Sequence, residues 1–366
     1  MTNTSPAPKK KALFLYYEIA GYFVACLQRL TSLYGIEAHV IRLPINAEAP
    51  FKFPDDKNII YHERVQYNNE QLLELVESIN PDFIFCSGWM DKSYLNVCKK
   101  FRNKIPTVLA FDNPWISSAK QHLASVVQPF IFSKLFSHCW VPGQPQVKFA
   151  LKLGFKKENV FEGMYSADDA LFQNFYEMYK DEKQKTFPKR FLYVGRYIEI
   201  KGVRDLWKAF IDLQNEMPND WELWCVGKGD FDNEFPTHDK IKNIGFVQPK
   251  DLHTIIKDTG VFMMPSHKDH WGVAIHEFAM AGYPMICSEW AFAATTFLKE
   301  GFNGYFHKPK NPASIVDAMK KMIATETKVQ KEMCTRSHNL SKTITLDTWA
   351  GVVAEIMRIK NGSRES

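Results

Sequence analysis

The chain has 366 residues, enough for two domains of ordinary size, and its 45% hydrophobic and 24% charged content is that of a soluble globular protein, which excludes a disordered chain. The net charge of +5 suits a protein that handles anionic small molecules or visits an acidic lipid surface; with no helix-turn-helix, zinc-finger or aromatic RNA-binding pattern, it makes no case for nucleic acid. Seven cysteines without a Cys-x-x-Cys pair argue against a zinc site or disulfide framework and point to the reducing cytoplasm, and no apolar run reaches the length of a membrane span.

Residues 1–10 carry prolines and lysines but no apolar stretch, so they read as a mobile tail and not as a signal peptide. Ala12 to Tyr17 is a first strand, Gly21 lies in the loop after it, and Phe23 to Tyr34 is a helix stopped by Gly35. His39 to Ile41 is a strand, Asn69 to Ser78 a helix, and Pro81 to Cys86 a strand with Gly88 and Trp89 at its end. Thr107 to Phe111 is a further strand, running into Asp112-Asn-Pro-Trp115, and His138 to Gly143 closes a doubly wound α/β unit. Residues 126–136 hold five large apolar side chains and read first as a core helix; a membrane-facing patch is the other reading. Residues 173–189 are polar, include Pro188 and read as a linker between a first domain, 1–172, and a second, 190–344.

The second domain starts with Phe191-Leu-Tyr-Val194, an apolar run ended by Gly195, with Arg196 and Lys201 just beyond and an amphipathic helix from Val203 to Leu213. A strand, a glycine turn and a helix carrying two cations can clamp a diphosphate. Trp221 to Val226 is a strand and Gly227-Lys-Gly229 its turn; Ile241 to Val247, a helix from Asp251 to Ile256, and a strand from Gly260 to Met264 follow. Such βαβ alternation makes a parallel sheet, which binds ligands beyond the carboxyl ends of its strands. Residues 265–282 then read Pro-Ser-His-Lys-Asp-His-Trp-Gly-Val-Ala-Ile-His-Glu-Phe-Ala-Met-Ala-Gly. The helix should begin near Gly272 or Val273, and its first amides, with no partner inside the helix, suit an anion. Gly272 lets that anion approach the backbone. Asp269 precedes the helix and Glu277 lies on it, so the two carboxylates could grip different parts of one ligand. Asn303-Gly304 reads as a hairpin turn, and Leu346 to Met357 as an amphipathic helix.

The Gly195-Arg196…Lys201-Gly202 pattern and the acid, aromatic-Gly turn and Glu-Phe-Ala-Met-Ala-Gly of 265–282 together resemble the retaining glycosyltransferases of family 4. The resemblance runs from about Val141 to Met322 and is looser before that. It implies a GT-B fold: an α/β protein of two facing Rossmann-like doubly wound domains with an active-site cleft between them, and a final helix, 345–360, packed back on the first domain. It implies a nucleoside diphosphate sugar (UDP- or GDP-sugar) as donor, no metal cofactor, and a glycan or lipid-linked acceptor held by the first domain. The implied setting is surface polysaccharide or lipopolysaccharide synthesis in the cytoplasm or at the inner face of the membrane, with peripheral contact there. By the same resemblance Arg196 and Lys201 take up the charge of the leaving diphosphate, and Glu277 binds the ribose. Asp269, with Trp271, Gly272, Val273 and Ala274, positions the sugar. Gly227, Phe246 and Val247 lie along the nucleotide.

Three departures stand out. The usual first carboxylate is Glu; Asp269 is one methylene shorter, roughly 1.5 Å of reach. Either His267 or His270 fills in beside the sugar, or the position has lost its role. The glycine-rich loop after the first strand is reduced to Gly21, which is either a diphosphate contact or a plain loop glycine. The usual histidine after the strand 107–111 is replaced by Asp112. It could orient a substrate hydroxyl, or it could simply form an Asx turn before Pro114. Trp89, Trp115 and Trp271 could stack on sugars. The alternatives to a transferase are a non-catalytic nucleotide-sugar-binding subunit and a sugar-nucleotide epimerase on the same fold. A dinucleotide oxidoreductase has least support, because no Gly-x-Gly-x-x-Gly follows either first strand.

Overall fold

The computed structural model describes residues 9–44 and 56–358; the expected tail up to residue 8, and residues 359–360 of the expected final helix, lie outside the described residues. The chain divides into two compact units, Met1–Ser166 with Ile344–Ser366, and Ala167–Thr343.

The first unit is built on β1 (Lys11–Leu15), β2 (Glu37–Arg42), β3 (Ile59–Glu63), β4 (Phe83–Ser87), β5 (Thr107–Ala110), β6 (His138–Trp140) and β7 (Val160–Phe161). They form one parallel sheet in the order β3-β2-β1-β4-β5-β6-β7. The inner strands are buried on both faces, which is why they read as unbroken apolar runs. The order reverses between β1 and β4, so the loops leaving these two strands diverge and open a crevice. Gly21 is the first residue of the helix Gly21–Tyr34 and not part of a loop; that helix ends at Gly35, whose φ of +64° closes it.

The helix Leu346–Arg358 packs against Gly21–Tyr34 in this unit. Trp349 anchors it: the indole N–H donates to the Met164 carbonyl at 2.8 Å, and the ring lies 5.0 Å from Trp140. Arg29 pairs with Asp347 at the helix start. The apolar stretch 126–136 departs from the first expectation. Within the helix Ala119–Phe132, only Phe132 is buried; Leu135 and Phe136, beyond it, are the other core residues.

The second unit opens with the helix Asp169–Lys185, so most of the expected linker is helical. Most of its polar residues face water, while Phe172, Phe175 and Lys183 are buried, and Asp168 caps it by accepting from the Leu171 amide at 3.2 Å. The sheet comprises β8 (Arg190–Val194), β9 (Glu222–Val226), β10 (Ile241–Gly245), β11 (Val261–Met264), β12 (Met285–Ser288) and β13 (Gly304–His307), in the parallel order β10-β9-β8-β11-β12-β13. Here the order reverses between β8 and β11. Asn303-Gly304 turns no hairpin, since β13 runs parallel to β12; the Asn303 amide group is buried and donates to the Phe297 carbonyl and Ser337. No helix among the described residues is long and apolar enough to cross a membrane.

Candidate active site

The reversal between β8 and β11 brings together the two segments singled out in the sequence. After β8, Gly195 leads to Arg196, the short 3-10 turn Glu199–Lys201 follows, and Gly202, at φ +66°, opens the helix Val203–Glu216. After β11, Pro265 to Trp271 form the loop before the helix Val273–Met280. The two segments are knitted together: the His267 amide donates to the Ile200 carbonyl at 3.0 Å, and a Cβ on Gly202 would stand 2.2 Å from the Pro265 carbonyl oxygen. No side chain fits at that approach.

Lys201 and Asp269 meet here, with Nζ to Oδ2 at 2.5 Å. Arg196 is exposed, and among the described residues its guanidinium has no carboxylate partner. Its backbone carbonyl accepts from the Tyr193 hydroxyl at 2.8 Å. Burial above all holds that hydroxyl well above its ordinary pKa of 10; nearby Asp269 raises it further and nearby Arg196 lowers it. Arg196 and Asp269 thus both act on one phenol, a residue the sequence did not mark. Its signal was position alone, two residues before the strand's terminal glycine.

Gly272 stands at φ +89°, and a Cβ there would lie 3.1 Å from Met264 Cε and 3.4 Å from Asp269 Cγ. The left-handed turn is what calls for glycine, while a Cβ there would crowd only the end of the Met264 side chain. The first amides of the helix it opens, at Val273 and Ala274, have no partner within the helix. Glu277 lies five residues on, about 7 Å along the helix. It is half-buried and makes no side-chain hydrogen bond among the described residues. Desolvation, assisted by the Asp168 carboxylate, pushes its pKa from 4.5 up to about 7. A carboxyl group held this way, without a protein partner, is suited to bind ligand hydroxyls.

Gly227 follows β9, and a Cβ there would meet the Gly195 carbonyl oxygen at 1.9 Å. Its amide donates to the Gly245 carbonyl at 2.9 Å, while the Gly195 amide donates to Val226 at 3.0 Å. These bonds lock the ends of β8, β9 and β10 side by side. Phe246, just past β10, is exposed, and Val247 is half-buried. Lys228, exposed in the same turn, is a cation that the sequence reading passed over.

Two expectations change, and a third residue of the segment proves structural. Trp271 is buried against Phe297 and offers no face to a sugar; its contribution is the backbone, whose carbonyl accepts from the Ala293 amide at 2.8 Å. His267 is a strut, with Nε2 2.8 Å from Asp205 in the first turn of the helix Val203–Glu216, so it cannot stand in for a longer carboxylate at 269. His276 belongs to the core: Nδ1 accepts from the Ala167 amide and Nε2 donates to the Ser341 carbonyl, both at 3.0 Å.

In the first unit the corresponding crevice is a pocket of about 240 Å³ at the ends of β1, β4 and β5. Tyr16, Tyr17, Trp89, Phe111, Asp112 and Tyr165 are among its lining residues, and no Lys or Arg is. Tyr165 donates to Asp112 Oδ2 at 3.4 Å. The tyrosine pair at the end of β1 is the feature that sequence reading missed. Gly21 is not part of the lining. Trp115 lies over Phe149, with Lys152 Nζ 4.9 Å from its ring. Among the described residues no group of three or more His, Cys, Asp or Glu side chains could hold a metal ion.

Two doubly wound parallel units of this kind make the GT-B fold of glycosyltransferases. Residues 176–339 match the family model described as "Glycosyl transferases group 1". The spore coat protein SA of Bacillus subtilis is 27% identical over 154 residues, which span 38% of this chain and 41% of that protein. Among solved structures, the Anabaena protein HepE in complex with UDP and glucose aligns with a TM-score of 0.68 at 16% identity, covering 94% of this chain and 98% of that one. Sucrose-phosphate synthase from Thermosynechococcus elongatus aligns with a TM-score of 0.69 at 15% identity, covering 95% and 98%.

Proposed function

We propose that the protein is a retaining glycosyltransferase that moves a sugar from a nucleoside diphosphate sugar to a glycan or lipid-linked acceptor held by the first unit. The observation that carries this reading is the convergence, at the β8–β11 reversal, of exposed Arg196, the Lys201–Asp269 pair and the glycine-opened helix at Gly272. The match to the group 1 glycosyl transferase model over the same unit supports it.

In this reading Arg196, Lys201 and the amides of Val273 and Ala274 receive the diphosphate. Charge growing on the departing nucleotide is stabilised by groups already in place, often the largest catalytic contribution. Glu277 accepts from the ribose hydroxyls. When the diphosphate draws Lys201 away, the Asp269 carboxylate is released to hold a hydroxyl of the sugar. The acceptor attacks from the face that the leaving group vacates, so no enzyme nucleophile is used and the anomeric configuration is retained. Asp112 orients the acceptor hydroxyl in the aromatic pocket, whose lack of cations favours a neutral sugar over a phosphorylated one. The resemblance to family 4 supports a role in surface polysaccharide or lipopolysaccharide synthesis on the cytoplasmic side. A uridine nucleotide is the first donor class to try, because HepE is bound to UDP.

The test is a panel of UDP-, GDP- and other nucleotide sugars, followed by thermal shift and by nucleotide release. Stabilisation by one donor with slow nucleotide release, both lost in Arg196→Ala and Glu277→Ala, is expected. Binding with no release, even with acceptors supplied, would favour a non-catalytic subunit. No binding of any nucleotide sugar would overturn the proposal.

A further inference from the structure

The helix Ala119–Phe132 is amphipathic the wrong way round. Leu123, Val126, Val127, Phe130 and Ile131 share one face at helical spacing, and that face points to solvent; Phe130 is 74%, Leu123 68% and Val126 66% exposed. The opposite face, with Gln121, Ala124, Ser125 and Gln128, is the one turned toward the protein, ending in buried Phe132. Its seat is fixed: a Cβ on Gly154 would stand 2.7 Å from Pro129 Cβ, so backbone meets helix with no room between. A contiguous apolar face of this kind marks an interaction surface.

Charge selects the occupant. Between Asp112 and Glu158 the chain carries Lys120, Lys134, Lys148, Lys152, Lys156 and Lys157 and no acid, so this segment alone exceeds the net charge of +5 of the whole chain. We propose that this face docks the first unit on an anionic phospholipid surface, with the apolar row inserted at the headgroup boundary and the lysines held against the lipid phosphates. A second copy bound through the same face would set lysines against lysines, which disfavours a two-fold dimer. The segment is continuous with the aromatic pocket, because Asp112 and Asn113 line the pocket and the helix begins at Ala119. A lipid-borne ligand entering that pocket would meet the bilayer face a few residues away. The docking itself does not depend on glycosyl transfer.

The test is flotation of the full chain with vesicles of phosphatidylcholine alone, or mixed in equal parts with phosphatidylglycerol. Binding to the mixed vesicles, weakened by salt and at least about tenfold poorer on phosphatidylcholine, is expected. Val126→Glu and Phe130→Glu should each reduce it by about tenfold or more with unchanged thermal melts, since both side chains are exposed. Lys120→Glu with Lys134→Glu should remove much of the salt-sensitive part. No binding to anionic vesicles at low salt would overturn the proposal. So would binding indifferent to both apolar substitutions, or a solution dimer that Val126→Glu dissociates, which would assign the face to a second copy.

Discussion

Lys201 Nζ lies 2.5 Å from Asp269 Oδ2, so the cation proposed to receive a diphosphate and the carboxylate proposed to hold a sugar neutralise each other in the free protein. A donor must part them, and its two halves would then satisfy each group separately. Asp269→Asn should therefore leave nucleoside diphosphate affinity unchanged or raise it up to about tenfold, because Lys201 is released in advance. Transfer should fall by about a hundredfold, because the sugar loses a charged acceptor and meets an amide in its place. Lys201→Ala should weaken both. Calorimetric titration with the nucleotide, beside a turnover assay, separates these patterns. Parallel loss of affinity and rate in Asp269→Asn would show that Asp269 serves only to support Lys201.

Glu277 carries a pH signature. Its folded pKa of about 7 lies above the ordinary 4.5, so between those values the native state holds a proton that the unfolded chain has released. Stability therefore falls as pH rises through that window. Glu277→Gln should be neutral below pH 4.5 and stabilising by about 1–3 kcal/mol at pH 8, after allowance for its exposed edge. Donor affinity should behave in the opposite sense. In the parent protein it should rise as pH passes about 7, where the carboxylate forms, and in Glu277→Gln it should be flat and weaker. Melts and donor titrations from pH 5 to 9 would check both.

Much of this arrangement was legible in the sequence because it depends on local rules. Val194-Gly195, Val226-Gly227 and Met264-Pro265 each mark the end of an apolar run, and parallel sheets place such ends on one edge. Gly272 signalled a helix start, and it stands at φ +89°. What could not be read was how side chains point within a loop. His267 and Trp271 flank Asp269 in sequence, yet one turns to Asp205 and the other is buried against Phe297. The helix after Ser118 misled for a related reason. A row of apolar residues at helical spacing defines a face, but periodicity does not say whether that face meets a core or the solvent.

Gly227 tests the strand-end lock. An alanine there would place Cβ 1.9 Å from the Gly195 carbonyl oxygen, so backbone has to move. Gly227→Ala should cost about 2–4 kcal/mol, at the high end for a single backbone change. It should also displace Arg196, which follows Gly195. Donor affinity should then drop even at temperatures where the variant is fully folded, and urea unfolding with nucleotide titration at low temperature would show it. Full affinity in folded Gly227→Ala would mean that Arg196 is positioned by something other than this contact.

Lys183 offers a test of stability away from the site. It is buried in the second unit, with Nζ 3.8 Å from the Tyr283 ring and no hydrogen-bond partner among the described residues. Burial drives its pKa from 10.5 down to about 7. Between those values the unfolded chain binds the proton that the native state has lost, so the side chain opposes folding as pH falls from 10.5 and its cost is nearly complete at pH 7. The ring offsets part of it, because a desolvated ammonium over an aromatic face gains about 2 kcal/mol. Lys183→Met keeps the volume and removes the charge. It should stabilise the protein by about 1–3 kcal/mol at pH 7, raising Tm by several degrees, with the gain fading toward pH 10.5. Melts across that range decide the matter. A loss of stability independent of pH would show that the lysine stem contributes packing that methionine cannot replace.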